Sequence, residues 1–133
     1  MPEASALTIE PPMYSPQLLD HFQNPRNVGE IAEADATADI DNPACGDMLR
    51  LALKVSDGRV VQAKFKAKGC VAAIACASAL TELLVGTSLA DARNLLRDDV
   101  SQAVGGLPQA STHAAQLAVD ALAAALRQIS LML

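Results

Sequence analysis

Four side chains able to bind a borderline-soft metal stand out in the sequence. They are Cys45 and Asp47 in Asp41-Asn42-Pro43-Ala44-Cys45-Gly46-Asp47, Cys70 behind Lys68-Gly69, and His113 far down the chain. Two thiolates, a carboxylate and an imidazole can close a four-ligand site around zinc or an iron-sulfur cluster. The glycines beside these residues let the backbone turn sharply around an ion. The spacing is not that of a zinc finger, so the site would exist only once folding brings three loops together. The residues alone leave other readings open. Cys45 and Asp47 also suit a tight turn with a buried thiol and a carboxylate bound to backbone amides. Cys70 also suits an ordinary helix start, and His113 a cap or a surface position. A helix N-terminus with Lys68 nearby would lower the Cys70 pKa and favour its thiolate. Cys76, six residues later on the same helix, points roughly 240° around from Cys70 and reads as core. His21 reads as packing or a partner contact.

The elements that must position these residues follow from periodicity. Ser15-Pro16 starts a helix, with the hydroxyl as N-cap and proline at the first helical position, and Asn24-Pro25 stops it. Leu18, Leu19 and Phe22 are its expected buried stripe. Ala36 to Asp41 is a strand candidate before the ligand loop. From Met48 to Lys68 the period is two: Leu49, Leu51, Leu53 and Val55 alternate with Arg50, Ala52 and Lys54. After a turn at Ser56-Asp57-Gly58, Val61, Ala63, Phe65 and Ala67 alternate with Gln62, Lys64, Lys66 and Lys68. This predicts an antiparallel hairpin whose outer ends return together, bringing Asp47 and Cys70 close. Val71 to Val85 reads as a helix ended by Gly86. Ser88 caps another with Asp91 at its third position, and Asp98 to Val104 suits a short third. The last helix runs from about Ser111 to Leu131, with Gln116, Asp120, Arg127 and Gln128 as a narrow polar stripe. Its apolar remainder must be covered by sheet, helices or another subunit, so a homo-oligomer is compatible with the pattern. The sum is an α+β domain, a small antiparallel sheet of about three strands with helices packed on one face.

With 133 residues the chain has the length of one domain and one core. Residues 1–13 lack periodicity and read as a flexible N-terminal leader, leaving 14–133 as the domain. Two Phe, one Tyr and no Trp leave the core to aliphatic residues, so a bound metal could add appreciable folding energy. A formal charge of −5 and few aromatic rings argue against a nucleic-acid partner. Charge is uneven: residues 1–47 carry nine acids against Arg26 alone, and 48–68 carry six bases against Asp57 alone. This suits a solvated sheet face whose lysines protect an edge strand, or a docking surface for an acidic partner. Three cysteines and no signal-peptide pattern point to a reducing, cytoplasmic location. No membrane-spanning segment is expected.

Tyr14-Ser15-Pro16, His21, Asn24-Pro25-Arg26-Asn27-Val28-Gly29, Pro43-Ala44-Cys45-Gly46-Asp47, Lys68-Gly69-Cys70, Ala73-Ile74-Ala75, Ser78, Thr81-Glu82 and Leu107-Pro108 before His113 occur here in one order. In that order they resemble the IscU/NifU-type iron-sulfur cluster assembly scaffolds. The resemblance implies a SufE/NifU-like fold and Cys45, Asp47, Cys70 and His113 as ligands to a [2Fe-2S] cluster, Zn2+ or Fe2+. It implies a cysteine desulfurase as sulfur donor and iron-sulfur apoproteins as recipients, with no enzymatic activity of its own. In the family the aspartate is linked to cluster lability, as suits a weak, water-accessible oxygen ligand.

Two departures qualify this expectation. The family's His-Cys-Ser reads His113-Ala114-Ala115 here, and alanine can neither carry a persulfide nor bind metal. Cys70 or Cys45 would then be the sulfur acceptor. The family's Leu-Pro-Pro-Val-Lys segment for a dedicated Hsp70 chaperone reads Leu107-Pro108-Gln109-Ala110-Ser111, so that chaperone is not expected as a partner. One rival is a degenerate homologue holding structural zinc and regulating a desulfurase without building clusters. A zinc enzyme is another, but no general base stands beside the candidate ligands.

Overall fold

The computed structural model describes residues 14–43 and 46–132, so the expected leader at 1–13 lies outside the described residues. Strands β1 (Ala36–Asn42), β2 (Asp47–Ser56) and β3 (Arg59–Lys68) form one antiparallel sheet in the order β1-β2-β3. The helices are α1 (Pro16–Gln23), α2 (Val71–Leu84), α3 (Leu89–Arg93), α4 (Arg97–Ala103) and α5 (Thr112–Met132). Helix α5 packs on β1 and β2, α2 packs on β3, and α1 rests on α2. The core between sheet and helices is built from residues such as Leu51, Leu53, Leu80, Leu84 and Leu122, with Phe65 supplying a ring. Each fully buried leucine contributes on the order of 1.5–3 kcal/mol.

The hairpin turns at Asp57 and Gly58, whose φ values of 53° and 74° are what a two-residue turn between twisted strands demands. Its pairing places Met48 opposite Lys68, so Asp47 and the chain beyond Lys68 do share one end of the sheet. The expected alternation in β3 fails at one point. Lys54 pairs with Gln62 but Val55 pairs with Val60, leaving Val61 as an extra residue. A bulge reverses the faces on either side of it. Val60 is therefore fully buried while Val61 is 45% exposed, opposite to the expected placement of Val61.

The outer face of the sheet is crossed by residues 27–35. On the free edge of β3, the Phe65 amide donates to the Asn27 carbonyl and the Gly29 amide to the Phe65 carbonyl. The segment then meets Lys66 through Glu30 and Lys54 through the Glu33 carbonyl, and its Asp35 amide reaches the Leu53 carbonyl. The crossing explains why Ala52, outward by alternation, is buried. The charge blocks meet here too: Glu30 pairs with Lys66 at 3.0 Å and Asp39 with Arg50 at 2.7 Å, as the solvated-face reading expects. The other sheet edge is covered by Gln128 of α5. Its amide group accepts from the Thr37 amide and donates to the Thr37 carbonyl, satisfying edge groups that would otherwise pair with another chain.

Ser15 caps α1 by accepting from the Leu18 amide, and its hydroxyl donates to the Val104 carbonyl. The buried stripe differs from expectation. Leu18 and His21 face inward, while Leu19 and Phe22 are each 36% exposed. The partner on α2 explains the choice: His21 Nδ1 lies 2.8 Å from buried Ser78 Oγ, and Nε2 lies 3.4 Å from Glu82. A buried imidazole is tolerated where both nitrogens find partners, and Leu19 and Phe22, next to Leu18 and His21, are then turned about 100° outward.

Candidate metal centre

Three separate pieces of local structure deliver the candidate ligands. Asn42 pairs with Asp47 at the end of the β1–β2 ladder, and the Gly46 amide donates to the Asn42 carbonyl at 2.8 Å. Asp47 thereby becomes the first residue of β2, with its side chain only 1% exposed. At the end of β3, Gly69 turns the chain and Cys70 becomes the N-cap of α2, its Sγ accepting from the Ala73 amide at 3.3 Å. A single 3-10 turn over Gln109–Ser111 leads into α5 and presents His113 in its first turn. A groove lined by Asn42, Pro43, Arg97, Gln116 and Asp120 borders His113 and leaves its side chain 31% exposed to solvent.

The three side chains converge on Asp47. His113 Nε2 lies 3.2 Å from Asp47 Oδ2, Cys70 Sγ lies 3.7 Å from the same oxygen, and one ligand atom from each residue falls within 4.8 Å of the others. In a tetrahedral site with ordinary zinc bond lengths the N···O edge is about 3.3 Å and the S···O edge about 3.5 Å. The two separations to Asp47 Oδ2 match those edges to within a few tenths of an ångström, and with all three atoms within 4.8 Å of one another the group could hold a cation. The Cys70 thiol donates to Oδ2, and His113 Nε2 lies within hydrogen-bond distance of the same oxygen. A metal held there would displace the thiol proton.

The electrostatics of Cys70 differ from the sequence expectation. Burial pushes its thiol pKa up, the Ala73 and Ala72 amides pull it down, and the charge of Asp47 pushes it up again. The rise prevails because the cap is sheltered and Asp47 stands beside it, while Lys68 is exposed. The cap position therefore does not by itself favour the thiolate. Asp47 is also not the water-accessible oxygen expected, since backbone and neighbouring side chains enclose it.

Of the four predicted ligands, Asp47, Cys70 and His113 are brought together, while Cys45 lies outside the described residues. Cys76 is fully buried, and burial pushes its thiol pKa up to about 12, in keeping with a core role. Ala114, next to His113, is 1% exposed and packs in the core. The sequence reading missed the Ala72 and Ala73 amides, which a capping cysteine entails, and the close approach at Gly69. A glycine between a strand end and a helix start was the available signal for the latter.

A family profile described as NifU-like N terminal domain matches residues 13–130. The iron-sulfur cluster assembly scaffold protein IscU 1 of Archaeoglobus fulgidus is 47% identical over 110 residues, covering 83% of this chain and 72% of that protein. The scaffold protein IscU of Azotobacter vinelandii is 39% identical over 118 residues, covering 86% and 91%. Among solved structures, the N-terminal NifU-like protein of Brucella abortus superposes with a TM-score of 0.78 at 22% identity, covering 91% of this chain and 96% of that one, a likeness of fold. With the profile spanning nearly the whole chain and relatives at this identity, the protein belongs to the IscU/NifU-type family.

Proposed function

We propose that the protein is a scaffold or carrier for iron-sulfur clusters, holding a [2Fe-2S] cluster, iron or zinc through Cys45, Asp47, Cys70 and His113 for transfer to recipient apoproteins. The observation that carries this reading is the convergence of Cys70 Sγ and His113 Nε2 on Asp47 Oδ2 at separations suited to a metal. Cys45 joins the set from its place two residues before Asp47 in the sequence. The cluster is cargo, and the oxygen ligand Asp47 makes its hold weaker than four thiolates would. Sulfur would come from a cysteine desulfurase in the cytoplasm, with Cys45 or Cys70 as acceptor. Residues 107–111 lack the pattern that would recruit a dedicated Hsp70. The relatives named as scaffold proteins support an assembly role rather than catalysis.

The position after His113 favours a second reading. Ala114 leaves that position without a thiol, and a raised Cys70 pKa makes a poor nucleophile in the metal-free chain. A structural zinc protein that regulates a desulfurase would need no acceptor there. Anaerobic reconstitution with ferrous iron and sulfide separates the two. A scaffold gains acid-labile sulfide in proportion to iron, whereas a structural zinc protein retains zinc and gains none.

A further inference from the structure

We infer that Gly69 is a positioning residue that makes Asp47 a one-oxygen ligand, an inference that rests on the metal-holding reading of the site. A Cβ built on Gly69 would stand 2.1 Å from Asp47 Oδ1, 2.8 Å from its Cγ and 3.0 Å from its Cα. The Asp47 carboxylate therefore occupies the space that any other residue at 69 would need. Gly69 also holds φ at +150°, a conformation that side chains rarely adopt.

This approach fixes which oxygen does what. With the carboxylate laid against the 69–70 backbone, the Cys70 amide donates to Oδ1 at 3.0 Å. Oδ1 is thereby committed to the backbone, and only Oδ2 faces Cys70 Sγ and His113 Nε2. Asp47 cannot turn to offer both oxygens without abandoning the part-buried Cys70 amide. One residue thus ties ligand to ligand, because the amide that orients Asp47 belongs to Cys70 itself. Backbone hydrogen bonds that orient a ligating carboxylate typically matter 10–100-fold in metal affinity.

The test uses the full chain in four forms: wild type, Gly69→Ala, Asp47→Ala and the double variant, with Zn2+ affinity measured by chelator competition. Gly69→Ala is expected to weaken Zn2+ binding about 10–100-fold when Asp47 is present and to change it less than about threefold in the Asp47→Ala background. An equal loss in both backgrounds overturns the inference. A second measurement needs neither metal nor the Gly69 variant. Asp47→Asn keeps an oxygen for the Cys70 amide but replaces a metal-binding oxygen with an amide nitrogen. In the metal-free protein, hydrogen exchange at the Cys70 amide should stay slow in wild type and Asp47→Asn and quicken about tenfold or more in Asp47→Ala. Similar exchange in wild type and Asp47→Ala overturns the positioning role. Absence of zinc binding in wild type, with the exchange pattern as expected, would instead count against the metal reading alone.

Discussion

Replacing Cys70 by alanine and by serine separates two tasks that one sulfur performs. In the metal-free chain Sγ caps α2 by accepting from the Ala73 amide at 3.3 Å. Losing an N-cap costs about 0.5–2 kcal/mol, and sulfur's weakness as an acceptor places Cys70→Ala near the lower end. At roughly 4 °C per kcal/mol for a domain of this size, the Tm of the apo variant should fall by about 2–4 °C. Serine is a stronger cap, so apo Cys70→Ser should match or exceed wild type. Zinc reverses the ranking. At free zinc about 100 times Kd, wild type should gain about 2.7 kcal/mol. Both variants lack the thiolate and should gain little at that concentration. Thermal unfolding with chelator and with buffered zinc reads all six values. A Cys70→Ser protein that keeps the full zinc-induced shift would refute Cys70 as a ligand, and apo Cys70→Ala as stable as wild type would refute its role as a cap.

Cys76→Ala should leave zinc content unchanged while lowering stability by about 1 kcal/mol or more, since it removes a buried sulfur that is not among the converging side chains; metal analysis and denaturant unfolding check both halves. Ala114→Cys should raise cluster yield and persulfide transfer in a desulfurase assay, while the larger side chain in a buried position lowers apo stability by about 1–3 kcal/mol; no gain in either assay would favour the structural-zinc reading. His21 is held below its ordinary pKa of 6.5, first by burial and then by Arg26, with Glu82 and Asp20 opposing. The unfolded chain therefore takes up the proton first, so this contribution is intact above about pH 6.5 and is lost as pH falls toward the lower folded value. In chelator-treated protein, His21→Gln should flatten the stability curve across that window, and an unchanged slope would contradict the argument.

The parts of the fold governed by local rules could be read from the sequence. Ser15-Pro16, Ser88 with Asp91, and the inward placement of Leu49, Leu51 and Leu53 follow rules that act within a few residues, and each appears where expected. What escaped depends on partners distant in sequence. The bulge at Val61 leaves no composition signal because valine suits either face. Helix α1 turns His21 inward because Ser78, 57 residues away, offers a hydrogen bond. The site divides the same way. Hairpin closure alone brought Asp47 to Cys70, but the rise in the Cys70 pKa needed the enclosed Asp47 carboxylate and the depth of the cap, which no spacing encodes.

The central claim is that Cys70, Asp47 and His113, with Cys45, hold one metal centre. Metal analysis with visible absorption on anaerobically purified wild type, Cys45→Ala and Cys70→Ala tests it most directly. The account predicts about one zinc ion or one [2Fe-2S] cluster per chain in wild type and a severe loss in both variants. Metal content unchanged in both variants would contradict it.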